Sequence, residues 1–216
     1  MEESRKRFVG FYNPSVILTY LGVLCAFISI YLGGVPDFKW SIFFLMLAGV
    51  CDMFDGTVAR MVKRSEPAKK FGIQLDSICD ICCFGITPAL LGINLSLETV
   101  TDGPWLSFIA GFCLTLCGII RLAYFNVMEE ERQSQTNARR SSYQGLPITS
   151  SAIMAPVAYL IGSLFVPNNR GLVYCAFEFL VAFLFIFNLP WPKPHGKQFI
   201  IMIIVGLALF TGVFLV

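Results

Sequence analysis

The sequence predicts an all-α, polytopic membrane protein of about six to seven transmembrane helices, with about eight as the upper limit. Three observations lead there. Hydrophobic residues make up 56% of the 216 positions and charged ones only 14%, against about 25% charged in a soluble domain. Apolar runs long enough to cross hydrocarbon, about 20 residues each, follow one another with short polar breaks and a mean hydropathy of +0.71. The basic residues gather at alternate breaks. Together these exclude a disordered tail, a collagen, a nucleic-acid-binding arm and a small disulfide scaffold.

Seven candidate spans fall at about 15–33, 39–59, 73–95, 105–126, 147–166, 171–189 and 199–216. The first follows a polar segment, 1–14, carrying Arg5, Lys6 and Arg7. No small-residue cleavage site follows its apolar run, so it reads as a retained span. The second closes on Asp52 and Asp55, and the third opens on Asp76 and Asp80. The fourth ends near Arg121, and the fifth begins at Pro147. Glu178 interrupts the sixth; Pro190, Pro192, Pro194 and His195 lead into the seventh. No repeat or separate soluble domain is visible, so 1–216 reads as a single integral membrane domain.

The basic residues set the orientation. With the N-terminus in the cytoplasm, Arg5, Lys6, Arg7, Arg60, Lys63, Arg64, Lys69, Lys70, Arg121, Arg132, Arg139, Arg140, Lys193 and Lys197 all fall inside, leaving Lys39 and Arg170 outside. That is a positive-inside pattern. It predicts a multi-pass protein of the cytoplasmic membrane, with loops near 60–72, 122–146 and 190–198 inside. Glu129, Glu130 and Glu131 read as a solvated run at the start of the second of these loops, and His195 as a solvated residue of the third.

An ionisable side chain within a span costs about 2.5–3.5 kcal/mol at its centre. Asp52, Asp55, Asp76, Asp80 and Glu178 are therefore the residues that need a reason. Residues three or four apart share a helix face. Asp52, Asp55, Gly56 and Ala59 then line one stripe of the second helix, and Gly72, Asp76 and Asp80 one stripe of the third. Antiparallel neighbours joined by a basic loop can bring the two stripes together at one depth. Carboxylate oxygens suit hard Mg²⁺ or Mn²⁺, and four of them could hold two ions about 4 Å apart. Gly56, Ala59 and Gly72 leave room for a phosphate or nucleotide, and Arg60 extends the stripe as a phosphate partner. The combination suggests phosphoryl transfer on an amphiphilic substrate. An ion pathway or proton relay, and water-facing helix ends with no joint role, are the alternatives.

The eight cysteines lie in or beside apolar runs and read as reduced helix packing. Cys79, Cys82 and Cys83 have a zinc-like spacing, but soft thiolates and hard carboxylates share a site poorly. Glu178 could pair with a neighbouring helix, line a dimer contact or snorkel outward.

Asp52-x2-Asp55-Gly56-x2-Ala59-Arg60, followed by Gly72-x3-Asp76-x3-Asp80, resembles the signature of the CDP-alcohol phosphotransferases. Those integral membrane enzymes transfer a phosphatidyl or related group from a CDP-alcohol to a second alcohol and release CMP. The loop 61–71 is longer than is usual in the family, leaving either Ser65 or Glu66 to approach the nucleotide. The run from Asp76 to Leu91, the segment Arg121-Leu122-Ala123-Tyr124-Phe125-Asn126-Val127 and Tyr143-Gln144-Gly145-Leu146-Pro147 are similar to the bacterial and archaeal phosphatidylserine synthases. Ile148-Thr149-Ser150-Ser151-Ala152 departs from that branch's usual Pro-Ala-Ala-Ala run, and the last two spans match nothing in it.

The resemblance implies that Asp52, Asp55, Asp76 and Asp80 ligate two Mg²⁺ or Mn²⁺ ions, with Asp80 also the general base. It implies contacts from Gly56, Ala59, Arg60, Ser65 and Gly72 to the CDP moiety, and CDP-diacylglycerol and L-serine as substrates of a homodimer in the bilayer. Serine's carboxylate needs a cation, and Arg121 at the end of the fourth span is the candidate. Its alternative reading is an interface anchor. Choline, inositol or a glycerol derivative as acceptor, and an ion-coupled transporter, remain the competing expectations.

Overall fold

The computed structural model describes residues 9–35, 37–99, 105–135, 142–188, 190–192 and 197–216. Arg5, Lys6, Arg7, Arg139, Arg140, Lys193, Pro194 and His195 lie outside them. The helices are α1 (Ile17–Gly33), α2 (Phe38–Met61), α3 (Glu66–Asp80), α4 (Thr87–Thr99), α5 (Trp105–Gln135), α6 (Ser151–Phe165), α7 (Arg170–Ile186) and α8 (Lys197–Leu215). Five helical stretches are long and apolar enough to cross a membrane, α3 and α4 counting as one of them (Glu66–Glu98). Two shorter apolar segments, Ile17–Gly33 and Ile203–Leu215, complete the seven positions expected. The chain is thus a multi-pass, helical membrane protein. Its outer surface carries large apolar side chains such as Phe27, Phe108, Phe112 and Phe183, as contact with lipid requires.

Packing inside depends on small residues, which let helix backbones approach closely where apolar surroundings supply no hydrophobic drive. A Cβ on Gly111 would stand 2.9 Å from the Ala89 Cβ, and one on Gly49 would stand 2.7 Å from the Ala152 Cβ. Reciprocal bonds tie α1 to α2: Ser29 Oγ donates to the Ser41 carbonyl (2.8 Å) and Ser41 Oγ to the Ser29 carbonyl (2.7 Å). At the same end Arg170 pairs with Glu98 at 3.0 Å, and the hydroxyls of Ser96 and Ser107 meet. Ile42, Leu45, Phe84, Leu91, Leu114, Tyr174 and Phe185 form the fully buried centre.

Three expectations are corrected. The basic loop of 61–71 is mostly helix. Only 62–65 lies between α2 and α3, because Ser65 caps α3 by accepting from the Ala68 amide (3.4 Å) and Pro67 suits a first helical turn. Asp76 therefore stands ten residues inside its helix and does not open it. The acidic run at 129–131 is helical too, since α5 continues to Gln135, and Glu129 pairs with Arg132 at 2.6 Å. Glu178 does not snorkel outward: it is 3% exposed and faces Gly92 of α4.

Two local irregularities interrupt the helices. A π-helical turn, Ile81–Ile86, joins α3 to α4 directly after Asp80. Such a turn leaves carbonyls poorly satisfied and often marks a functional site. Here Thr87 Oγ1 donates to the Cys82 carbonyl (2.8 Å) and Thr115 Oγ1 to the Gly85 carbonyl (3.2 Å). The other is a small antiparallel pair, β1 (Ser142–Gln144) with β2 (Pro190–Pro192), whose register pairs the backbone of Tyr143 with that of Trp191. Gly145 follows with φ +76°, where a Cβ would lie 2.8 Å from the Phe185 carbonyl oxygen. Only glycine fits that approach.

Candidate functional site

Asp52 and Asp55 stand in the second half of α2, and Asp76 and Asp80 in the last turns of α3. One carboxylate oxygen from each of Asp52, Asp76 and Asp80 lies within 4.8 Å of the others. Asp55 falls outside that trio but meets it: its side chain touches Asp76, while Asp52 touches Asp80. The two stripes expected on neighbouring helices do face each other. Thr19 of α1, which sequence spacing did not single out, donates from Oγ1 to Asp55 Oδ2 at 3.0 Å. A narrow cleft lined by Thr19, Asp52, Asp55, Cys79, Asp80 and Phe84 opens between these helices.

The donor set fits a divalent cation. All the converging groups are hard carboxylate oxygens, and unit negative charges a few ångströms apart repel strongly where the dielectric is low. Thr19 supplies the outer hydrogen bond that commonly orients a metal-binding carboxylate. Cys79 and Cys83 also line the cleft, but the converging ligand atoms among the described residues are carboxylate oxygens alone.

The flanking residues take different positions. A Cβ on Gly56 would meet only Arg60 Nη1, at 3.7 Å, so this face of α2 is open. Ala59 is half-buried and Arg60 exposed, its Nη2 donating to Thr57 Oγ1 at 3.1 Å. Ser65 uses an oxygen lone pair as the α3 cap, which leaves its hydroxyl proton to donate. Gly72 lies beneath Arg64: its Cβ would be 3.0 Å from Arg64 Nη1. Arg64 Nε is buried without a hydrogen-bond partner among the described residues. The sequence reading counted Arg64 only toward orientation, although its place between the two motif halves was the signal.

Arg121 lies on α5, antiparallel to the α3–α4 helix. Gly111 packs on Ala89, Thr115 bonds Gly85, and Asn126 Nδ2 donates to Ser77 Oγ at 2.9 Å. That register brings Arg121 level with the Asp80 turn. It is 8% exposed, with its guanidinium carbon 5.7 Å from the Phe125 ring centroid, more enclosed than an interface anchor requires.

A yeast CDP-diacylglycerol–serine O-phosphatidyltransferase (Saccharomyces cerevisiae) is 34% identical over 146 residues, covering 66% of this chain and 48% of that protein. An archaetidylserine synthase of Methanothermobacter thermautotrophicus is 29% identical over 157 residues, 73% of this chain and 62% of that one. A CDP-diacylglycerol–serine O-phosphatidyltransferase of Methanocaldococcus jannaschii is 29% identical over 192 residues, 89% and 80% of the two chains. The chain thus spans about half the length of the yeast relative and under two thirds of the Methanothermobacter one. The CDP-alcohol phosphatidyltransferase family model matches residues 12–212, a range that takes in all four aspartates and Arg121, and the chain belongs to that family.

Proposed function

We propose that the chain makes phosphatidylserine, transferring the phosphatidyl group of CDP-diacylglycerol to the hydroxyl of L-serine and releasing CMP. The observation that carries this is the convergence of Asp52, Asp76 and Asp80 of α2 and α3 within 4.8 Å. Relatives that bear serine-transferase names support the acceptor.

Asp52, Asp55, Asp76 and Asp80 would hold two Mg²⁺ or Mn²⁺ ions. Such ions supply positive charge to a diphosphate and to a departing phosphate. Asp80, at the inner end of the acid stripe, takes the proton of the serine hydroxyl as the oxygen attacks the phosphorus next to the diacylglycerol. The bond from that phosphorus to the bridging oxygen breaks, and the electron pair leaves with CMP. Gly56, Ala59 and Gly72 allow the nucleotide against the helix backbones, Ser65 donates to it, and Arg60 and Arg64 offer guanidinium groups to its phosphates. Arg121 grips the serine carboxylate with its planar fork.

The reading includes a single catalytic domain over 1–216, a homodimer, and an active site on the cytoplasmic side of the cell membrane, as is the 1–14 segment. The basic residues near the acid end, Arg60, Lys63, Arg64, Lys69 and Lys70 against Lys39 and Arg170 at the other, support that side. A cysteine at position 66 should label only from the cytoplasm, and cross-linking in membranes should trap dimers. The deciding experiment measures CMP release from CDP-diacylglycerol with serine, choline, inositol and glycerol 3-phosphate, with and without chelator. Serine-dependent release abolished by chelator is the expected result. Release with another acceptor alone removes serine, and no release with any acceptor removes the enzyme reading.

A further inference from the structure

Three contacts hold the stretch that carries Asp76 and Asp80 against α5. Asn126 Nδ2 donates to Ser77 Oγ at 2.9 Å, Thr115 Oγ1 donates to the Gly85 carbonyl at 3.2 Å, and a Cβ on Gly111 would stand 2.9 Å from the Ala89 Cβ. On α5 the residues involved, Gly111, Thr115 and Asn126, fall within about 60° of one another at 3.6 residues per turn, so they form one face. Their partners are spaced differently. Ser77 and Ala89 are twelve residues apart, which on an unbroken α-helix sets them about 120° apart. An unbroken helix could not lay both on that one face.

The π turn Ile81–Ile86 lies between them. Its i→i+5 bonding takes one residue more into the turn, which returns about 100° of rotation and leaves Ser77 and Ala89 on one side. Two threonines hold it. Thr87, 0% exposed, donates to the Cys82 carbonyl twice, through its N–H across five residues and through Oγ1 at 2.8 Å. Thr115 reaches the turn from α5, its Cα 3.8 Å from where a Cβ on Gly85 would lie. The acids follow from this. Asp76 and Asp80 are turned from Ser77 by about 100° and 60°, to the same side. With Ser77 fixed on α5, both point off α5 and meet Asp52 and Asp55 of α2. Without the extra residue, the contact at Ala89 would swing the acid face about 100° away from them.

We propose that the π turn is the element that aims Asp76 and Asp80 at α2, and that Thr115, acting through the Gly85 carbonyl, is a positioning residue of the cation site. Asn126 pins the other end of the acid segment, so Asp80 is held between two hydrogen bonds from one helix. The inference rests on the reading of the aspartates as a divalent-cation site.

Mn²⁺ titration of the full chain in lipid nanodiscs, with free Mn²⁺ read by electron paramagnetic resonance, tests it alongside serine-dependent CMP release. Thr115→Val keeps the shape and deletes the hydrogen bond. Mn²⁺ affinity should fall about tenfold, the low end for a residue that acts through a metal ligand. CMP release at fixed metal should fall with it, and Thr115→Ser should restore both. Thr211→Val removes a comparable hydrogen bond on α8, from Oγ1 to the Leu207 carbonyl (2.8 Å), and should change neither. Where Thr115→Val does not fold, Thr87→Val replaces it with the same expectation. Unchanged Mn²⁺ affinity in folded Thr115→Val, or an equal loss in Thr211→Val, overturns the proposal and leaves the cation site in place. A parent chain that binds no Mn²⁺ overturns the cation reading and this proposal with it.

Discussion

The aspartate cluster and Glu178 are the same chemistry under two conditions. The four aspartates stand in the second half of α2 and the last turns of α3 beside a cleft, Asp55 buried and the others half-buried, with oxygens of Asp52, Asp76 and Asp80 within 4.8 Å. Glu178 stands alone at mid-span between apolar walls, with a glycine beneath it and a serine across a small pocket. Number decides what each can hold. Several hard oxygens brought together make a cation site; one carboxyl between apolar walls does not.

Asp76→Asn should separate the two most sharply. It removes one of the converging oxygen donors, and CMP release should fall more than about a hundredfold, beyond the ten- to hundredfold usual for a group that only supports a metal ligand. Glu178→Gln, measured in parallel, should stay within a few-fold of the parent. Equal losses in the two would erase the distinction. Chromatographic monodispersity checks that both variants are folded.

Within the cluster, Asp80→Asn should slow transfer by about 10²–10⁴-fold, the range for a positioned general base, while CDP-diacylglycerol binding persists. Asp52→Asn should lose that binding. If both lose it alike, Asp80 acts as a ligand and not as the base.

Arg121→Lys tests whether the site reaches across to α5. Loss of the bidentate fork should raise the serine KM about ten- to a hundredfold, the worth of a charge-assisted contact, with a smaller effect on the donor KM. An unchanged serine KM would leave Arg121 a packing residue over Phe125.

The smallest effect concerns Thr19. Thr19→Val keeps shape but deletes the 3.0 Å bond to Asp55. The divalent-metal concentration for half-maximal CMP release should rise about tenfold, at the low end for an outer-shell partner, and Thr19→Ser should restore it. Loss of stability without a shift in metal dependence would make Thr19 a packing residue only.

Much of this was legible before the fold. Helical spacing placed Asp52 with Asp55, and Asp76 with Asp80, because a period of 3.6 residues needs no tertiary information. The seven apolar segments follow from hydropathy, since lipid demands an apolar exterior and internally bonded backbone. Arg64 was visible but undervalued, because a basic residue in a loop has too many ordinary uses. The long α3 was misread because Glu66, Lys69 and Lys70 resemble loop polarity, and their helical pairing, Glu66 with Lys69 at 2.6 Å, appears only once the Ser65 cap starts the helix.

What the sequence by itself determined, then, is the membrane class, the acid motif and the chemistry that suits it: these depend on residue type and on neighbours three or four positions away. The tertiary structure alone decided which helix stands beside which. Thr19 lies 36 residues from Asp55, Gly92 is far from Glu178 in the chain, and Thr115 reaches a π turn 30 residues earlier. No periodicity links such pairs. They are set by where small residues permit two backbones to approach, and that is a property of both surfaces at once.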